Sequence, residues 1–291
     1  MTATPDRSSG ATQAAIEHHY DVGADFYRLW LDARMVYSCA LWAGPIDDDL
    51  ETAQEAKLDW HLATAGAAAG GRLLDVGCGW GALLQRARSH VGVADAVGLT
   101  LSRDQMDVAS AAGDDAHIEV RLEDWRRHQP SAPYDAIVSV GAFEHFARLD
   151  LDDEARTAVY RQWFEATAGW LVPGGRISLQ SIAYEDFDRA HGTEAAFFAE
   201  QVFPESSLPR LSQIVVAAEP WFRVLVVRSD ADQYAQTLRL WQRRLESAAV
   251  VAQSMVGRDT YRRYVRYLRL SRAMFERRVC TLYRIGFERR A

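Results

Sequence analysis

The chain has 291 residues, 48% of them hydrophobic and 25% charged, enough for one large soluble domain with a buried core. A net charge of −7 argues against nonspecific binding of nucleic acid or of an anionic membrane, and no apolar run approaches the roughly eighteen residues that span a bilayer. The scattered Cys39, Cys78 and Cys280 suit neither a disulfide framework nor a zinc site, and Met1–Gly10 has no signal-peptide h-region, so a cytoplasmic protein without a metal is expected.

In chain order, residues 1–13 are expected to be disordered. A helical pattern begins near Thr12, with Ile16, Tyr20, Phe26, Tyr27, Leu29, Trp30 and Leu31 on its apolar side. A second amphipathic helix over 51–68 ends at the Gly70-Gly71 break. Strands then alternate with helices: strand 72–76, helix 80–88, strand 93–99, helix 102–111, strands 117–122 and 134–140, and a long helix 151–171. The turn Val172-Pro173-Gly174-Gly175 leads to strand 176–182. This alternation implies right-handed βαβ units and a mostly parallel sheet. Beyond Gly192 a mixed segment precedes a strand at Arg223–Val227 and two long helices, about 231–256 and 258–284. One domain over 14–291 is expected: a helical cap at 14–70, a ligand-binding core at 71–183, and a substrate-side insertion with C-terminal helices at 184–291. Charge is uneven along it, since from Arg239 onward 14 arginines face 4 acids. That segment reads as a solvated helix face paired with the acidic body, or as a docking surface for an acidic carrier protein or an anionic substrate.

The most informative stretch is Leu73-Leu74-Asp75-Val76-Gly77-Cys78-Gly79-Trp80-Gly81, a buried strand that stops in a glycine-rich turn before a helix. Glycines let backbone turn sharply and approach a ligand closely, and open α/β sheets bind nucleotides at such a turn. The spacing is not that of a phosphate-binding loop, since no Lys-Ser/Thr pair follows, and no lone acid ends the next strand as in dinucleotide sites. A nucleoside without phosphates is the ligand that remains, which points to S-adenosylmethionine. Gly77, Gly79 and Gly81, with Asp75, Cys78 and Trp80 among them, would lay backbone along it. Thr100, Leu101 and Gln105 stand near the ribose position, and Tyr37 and Ser38 would reach the methionine end. Asp124 offers a carboxylate to the adenine amine and Trp125 a ring to stack on it.

Several further segments carry a resemblance: His19-Tyr20-Asp21 with Asp25-Phe26-Tyr27, Tyr37-Ser38-Cys39-Ala40, Gly98-Leu99-Thr100-Leu101-Ser102 with Gln105, Gly141-Ala142-Phe143-Glu144-His145-Phe146, and Tyr234 to Trp241. With the glycine loop they run in order over roughly residues 16–285, and together the chain resembles the cyclopropane-fatty-acid and mycolic-acid cyclopropane synthase family of S-adenosylmethionine-dependent methyltransferases. The resemblance implies an α/β, Rossmann-like class I methyltransferase fold with a mostly parallel seven-stranded sheet and helical additions at its start, middle and end. It implies transfer of a methyl or methylene to a carbon–carbon double bond of a hydrophobic acyl or isoprenoid substrate, through a carbocation. In that family a bicarbonate ion serves as base, held by a Cys, a Glu, a His and a Tyr. Cys39, Glu144 and Tyr234 fall on three of those positions, and His145 adjoins the second.

The fourth position departs from the pattern, because Gln180 stands where the family carries a histidine. An amide donates a hydrogen bond but carries neither charge nor proton, so bicarbonate binding is expected to be weakened, with Glu144 as the alternative base. Each residue also has a plainer role open to it: a structural carboxylate for Glu144, a turn cap for His145, a small hydrophobe for Cys39, a packing ring for Tyr234. Cys280 has nothing nearby to lower its pKa and is not expected to be catalytic. Phe187, Phe197, Phe198, Phe203 and Pro204 are rich enough in apolar surface to line a substrate channel or to pack as a lid. Methylated alkene or cyclopropane product, a free, carrier-bound or anionic substrate, and a homo-oligomer all stay open. So do N-methylation of a small amine and a catalytically silent cofactor-binding role.

Overall fold

A computed structural model describes residues 22–44, 49–111, 115–148, 150–185 and 208–291. The expected disorder of 1–13, the helix onset at Thr12 with Ile16 and Tyr20, and the aromatics of the insertion from Phe187 to Phe203 lie outside the described residues.

Among the described residues seven strands form one sheet: β1 (Arg72–Val76), β2 (Asp95–Thr100), β3 (Ile118–Leu122), β4 (Tyr134–Val140), β5 (Leu171–Tyr184), β6 (Phe222–Ser229) and β7 (Cys280–Arg289). Their order is β3-β2-β1-β4-β5-β7-β6. The β3-β2-β1-β4-β5 pairs are parallel, whereas β7 lies antiparallel between β5 and β6. The central strands are buried on both faces, so β1 reads as the near-continuous apolar run of a parallel sheet.

The period of two sorts side chains between two layers. Leu74 and Ile137 face the cluster that holds Tyr160, Trp163 and Phe164 of α5 (Asp153–Trp170). Leu73, Ala136 and Val138 face the cluster of α2 (Leu50–Thr64) and α3 (Ala82–Arg86). The helix α5 starts where Asp152 accepts a hydrogen bond from the Ala155 amide at 2.8 Å, and buries a stripe at three- and four-residue spacing. A third core joins α1 (Ala24–Arg28) to α7 (Ala231–Ser247), α8 (Ala249–Val256) and α9 (Arg258–Glu276), with α4 (Arg103–Ala111) and α6 (Leu211–Ala218) flanking the sheet. Among the described residues no helix is long and apolar enough to cross a membrane.

Two expected elements are corrected. The helix expected over 231–256 is broken at Ala248 into α7 and α8. The helix expected over 258–284 ends at Glu276, and the chain continues as β7. Arg278 adopts φ 57, a left-handed turn that leaves the helix, and Val279-Cys280-Thr281-Leu282-Tyr283-Arg284-Ile285 is a β-branched and aromatic run buried between two strands. The arginine-rich C-terminal segment divides: Arg244 and Arg278 pair with Glu51 and Asp232, while Arg258, Arg262, Arg263 and Arg269 are exposed along α9.

Gly286 marks where β7 is squeezed. A Cβ there would stand 2.7 Å from Thr64 Cγ2 and 2.9 Å from Val226 Cγ1. Gly286→Ala is therefore expected to destabilise by about 1–3 kcal/mol in urea unfolding. Gly169→Ala, at an α5 position with nothing within 4 Å, is expected to stabilise by about 0.5 kcal/mol.

Candidate functional site

The glycine loop leaves the carboxyl end of β1 and is fixed by its own backbone. The amides of Gly77 and Cys78 both donate to the Leu99 carbonyl, at 2.9 and 3.0 Å, and the Gly81 amide to the Cys78 carbonyl at 3.0 Å. Gly77, Gly79 and Gly81 have φ of 84°, 54° and 87°. At Gly77 sterics add a second demand, because a Cβ would meet Ala142 Cβ at 2.4 Å.

One cavity opens along this loop. Of the expected cofactor residues, Tyr37, Ser38, Asp75, Gly77, Cys78, Gly79, Trp80, Thr100, Leu101, Gln105, Asp124 and Trp125 all line it; Gly81 instead caps α3 beside it. The Thr100 hydroxyl donates to Gln105 Oε1 at 2.8 Å and accepts from the Ser102 amide, which leaves the Gln105 amide nitrogen as the donor of the pair. Asp124 accepts from the Arg126 amide at 2.9 Å, and the Arg126 guanidinium covers one face of Trp125 at 4.6 Å. Tyr37 is wedged among Tyr27, Trp30 and Trp241, with its hydroxyl 3.1 Å from that of Tyr267.

Two buried titratable groups that line the cavity are Asp75 and Lys57. Asp75 is buried, its Oδ1 has no hydrogen-bond partner, and burial pushes its carboxyl up to about 7. Lys57, from α2, is buried too; burial, with Arg284 near, lowers it to about 7, and its Nζ donates to Ser38 Oγ at 2.9 Å. The sequence reasoning missed Lys57. Its signal was positional: Gln54, Lys57 and His61 sit on the buried stripe of α2, which otherwise runs Leu50, Ala53, Leu58, Leu62. A buried carboxyl with an unbonded Oδ1 and a buried lysine near it fit a ligand carrying both charges, as the methionine end of S-adenosylmethionine does.

Glu144, His145, Gln180 and Tyr234 line the same cavity, with Ile182, Tyr267 and Leu282. Glu144 sits in the turn after β4, its Oε1 accepting from the Ile182 amide at 2.6 Å and its Oε2 without a partner. Burial raises it to about 7, and lowers His145 to about 4. Cys39 is close by in sequence to Tyr37 but is not among the lining residues. Its Sγ lies 3.2 Å from the Ala40 carbonyl, and burial raises the thiol to about 11. Cys280, on β7, is raised to about 12 by burial and is likewise absent from the lining. Gln180 accepts on Oε1 from Arg284 Nε at 2.9 Å and approaches His61 Nε2 at 3.2 Å. Neither His61 nor Arg284 was singled out from sequence; both are fully buried.

The crystal structure of mycolic acid cyclopropane synthase CmaA1 complexed with SAH and CTAB superposes with a TM-score of 0.85 at 31% identity, covering 96% of this chain and 99% of that one. The fold with its glycine-loop cavity is that of a Rossmann-like, S-adenosylmethionine-dependent methyltransferase. A family model for mycolic acid cyclopropane synthetase matches residues 7–285, and the chain belongs to that family. Cyclopropane mycolic acid synthase 2 of Mycobacterium bovis is 33% identical over 288 residues, 92% of this chain and 93% of that protein. A Pseudomonas putida protein named "Probable fatty acid methyltransferase" is 35% identical over 278 residues, 93% of this chain and 68% of its own.

The raised carboxyls carry a stability signature. A carboxyl whose pKa is higher folded than unfolded stabilises the fold fully below its unfolded value, and that contribution is lost as pH rises through the folded one. Between about pH 4 and pH 7 the Asp75 contribution declines. Asp75→Asn should remove it, so the stability of the variant relative to wild type rises across that window in ligand-free thermal melts.

Proposed function

We propose that the chain transfers the methyl group of S-adenosylmethionine to a carbon–carbon double bond of a long acyl chain, with Glu144 as the base that ends the reaction. The observation that carries this reading is the unbonded Oε2 of a buried Glu144, which lines the glycine-loop cavity together with Ile182, Leu282, Tyr234 and Tyr267. Bound S-adenosylmethionine supplies an electrophilic sulfonium methyl. Lys57 with Ser38 would hold the methionine carboxylate and Asp75 its ammonium; Thr100 and Gln105 would take the ribose, and Asp124 with Trp125 the adenine.

An alkene is a weak neutral nucleophile, and its attack leaves positive charge on carbon. Water must be kept out and the cation tolerated. Aromatic faces at Tyr234 and Tyr267 and the Glu144 carboxylate serve that need, and Glu144 then accepts a proton at Oε2. Proton loss from the added methyl with ring closure gives a cyclopropane, and loss from a neighbouring carbon gives a methyl-branched alkene. A bound bicarbonate as base has less support, since Cys39 is not among the lining residues and Gln180 has replaced the histidine. His145, held neutral, would shape the turn that presents Glu144. The acyl-chain reading rests on the named activities of the relatives. Three free, buried cysteines support a reducing, cytoplasmic setting, with the chain free or carrier-bound.

Glu144→Gln is expected to lower methyl transfer from labelled S-adenosylmethionine into lipid extracts by about 100-fold or more, while cofactor affinity stays within about threefold. Unchanged turnover removes Glu144 from the mechanism. Wild-type rate should rise with pH through about 7 as Glu144 ionises. Separately, Lys57→Met is expected to weaken cofactor binding about tenfold or more by calorimetry, with a smaller loss for Ser38→Ala.

A further inference from the structure

The imidazole that Gln180 lacks is present next to it. His61 comes from α2, two helical turns into the buried face from Gln54, and its ring nitrogens lie 2.8 Å from Ser178 Oγ and 3.2 Å from Gln180 Oε1. The hydrogen positions are set by the partners. Arg284 Nε can only donate, so the group 2.9 Å from it on Gln180 is the oxygen. The His61 Nε2 facing that same oxygen must then carry a hydrogen, and Nδ1 is left to accept from the Ser178 hydroxyl. Ser178, Gln180, His61 and Arg284 are all at most 1% exposed, so water does not compete for these bonds. Burial, with the Arg284 and Lys57 charges nearby, holds His61 well below its ordinary pKa and therefore neutral. The remaining groups of Arg284 are spoken for, by Asp230 and by the carbonyls of Cys39 and Ala40 at 3.1 and 2.9 Å.

With its oxygen bonded twice on the buried side, the Gln180 amide has its amino group left for the cavity it lines. Gln180 and Ile182 point to the same face of β5, and Ile182 is the residue whose amide holds Glu144. We propose that His61, Ser178 and Arg284 are positioning residues that lock Gln180 in one orientation, so that the imidazole carried on β5 in the resembling family is moved to α2 and acts here through an amide. The Arg284 charge polarises that amide through its oxygen, which strengthens the N–H groups offered to the acceptor end. The site thus gains a fixed hydrogen-bond donor that does not titrate. The kinetic part rests on the acceptor chemistry proposed above, and the spectroscopic part does not.

Selective 15N labelling of histidine in the full-length protein should show His61 as the neutral Nε2–H tautomer, unchanged from pH 5 to pH 8. An Nδ1–H tautomer, or titration within that range, overturns the proposal even if methyl transfer to alkenes is never found. Kinetically, His61→Ala should lower kcat about tenfold with the KM for S-adenosylmethionine within about twofold, and His61→Gln, which keeps a donor, should recover most of it. In a Gln180→Leu background the His61→Ala change should have no further effect on kcat, with folding checked by thermal melts and cofactor binding. A further tenfold loss there means that His61 acts independently of Gln180, and the relay fails.

Discussion

A single buried guanidinium ties together three segments around the cavity. Arg284 is completely buried at the middle of β7, and its fork reaches three places that are remote in sequence: the Cys39-Ala40 carbonyls, Gln180 on β5, and Asp230 at the start of α7. Lysine, with one compact charge, could not span those directions; the planar five-donor fork can. A buried charge is costly unless it is paired and hydrogen-bonded, so the three segments are held where they satisfy it. The remaining cavity geometry depends on those anchors. With the loop fixed, Tyr37 and Ser38 face the glycine turn; with α7 fixed, Tyr234 reaches the cavity and Thr237 accepts from the Ala40 amide at 3.1 Å.

The cofactor half works by a different rule. Its loop satisfies itself through the Leu99 carbonyl, so its shape does not wait for a ligand. What is left incomplete there is charge: the Asp75 carboxyl has an unbonded oxygen, and Lys57 has been pushed towards neutrality. A zwitterionic ligand completes both groups at once and makes each charge easier to keep in a dry site. Shape is thus built into the glycines, and the buried charges are what a ligand would complete.

The cofactor half was legible in the sequence because its signals are local. Strand, glycine turn and helix come one after another within 72–86, and the residues after β2 and β3 return to the same loop by parallel-sheet topology alone. The acceptor half was less legible because its polar contacts join residues more than a hundred positions apart, such as His61 with Gln180 and Arg284 with Cys39. Arg284 sat in a run rich in arginine, where one buried guanidinium looks like its exposed neighbours. The same density of arginine and aromatic residues disguised β7 as a continuation of α9. Cys39 was placed by motif in the acceptor set; its thiol lies 3.2 Å from the Ala40 carbonyl, and the residue is not among those lining the cavity.

The position of β7 also bears on how the chain is made. It is the last of the described strands in sequence, yet it lies inside the sheet, with β5 on one side and β6 on the other. On a ribosome the parallel strands and the glycine loop emerge first and can close, whereas β6 has no partner until residues 280–289 leave the exit tunnel. Through that interval the valines of β6, still about 40% exposed at Val224 and Val227 in the finished fold, are an uncovered apolar edge. Until β7 is placed, the glycine loop already has its own backbone hydrogen bonds, whereas Gln180, Asp230 and the Cys39-Ala40 carbonyls all wait for the Arg284 that joins them.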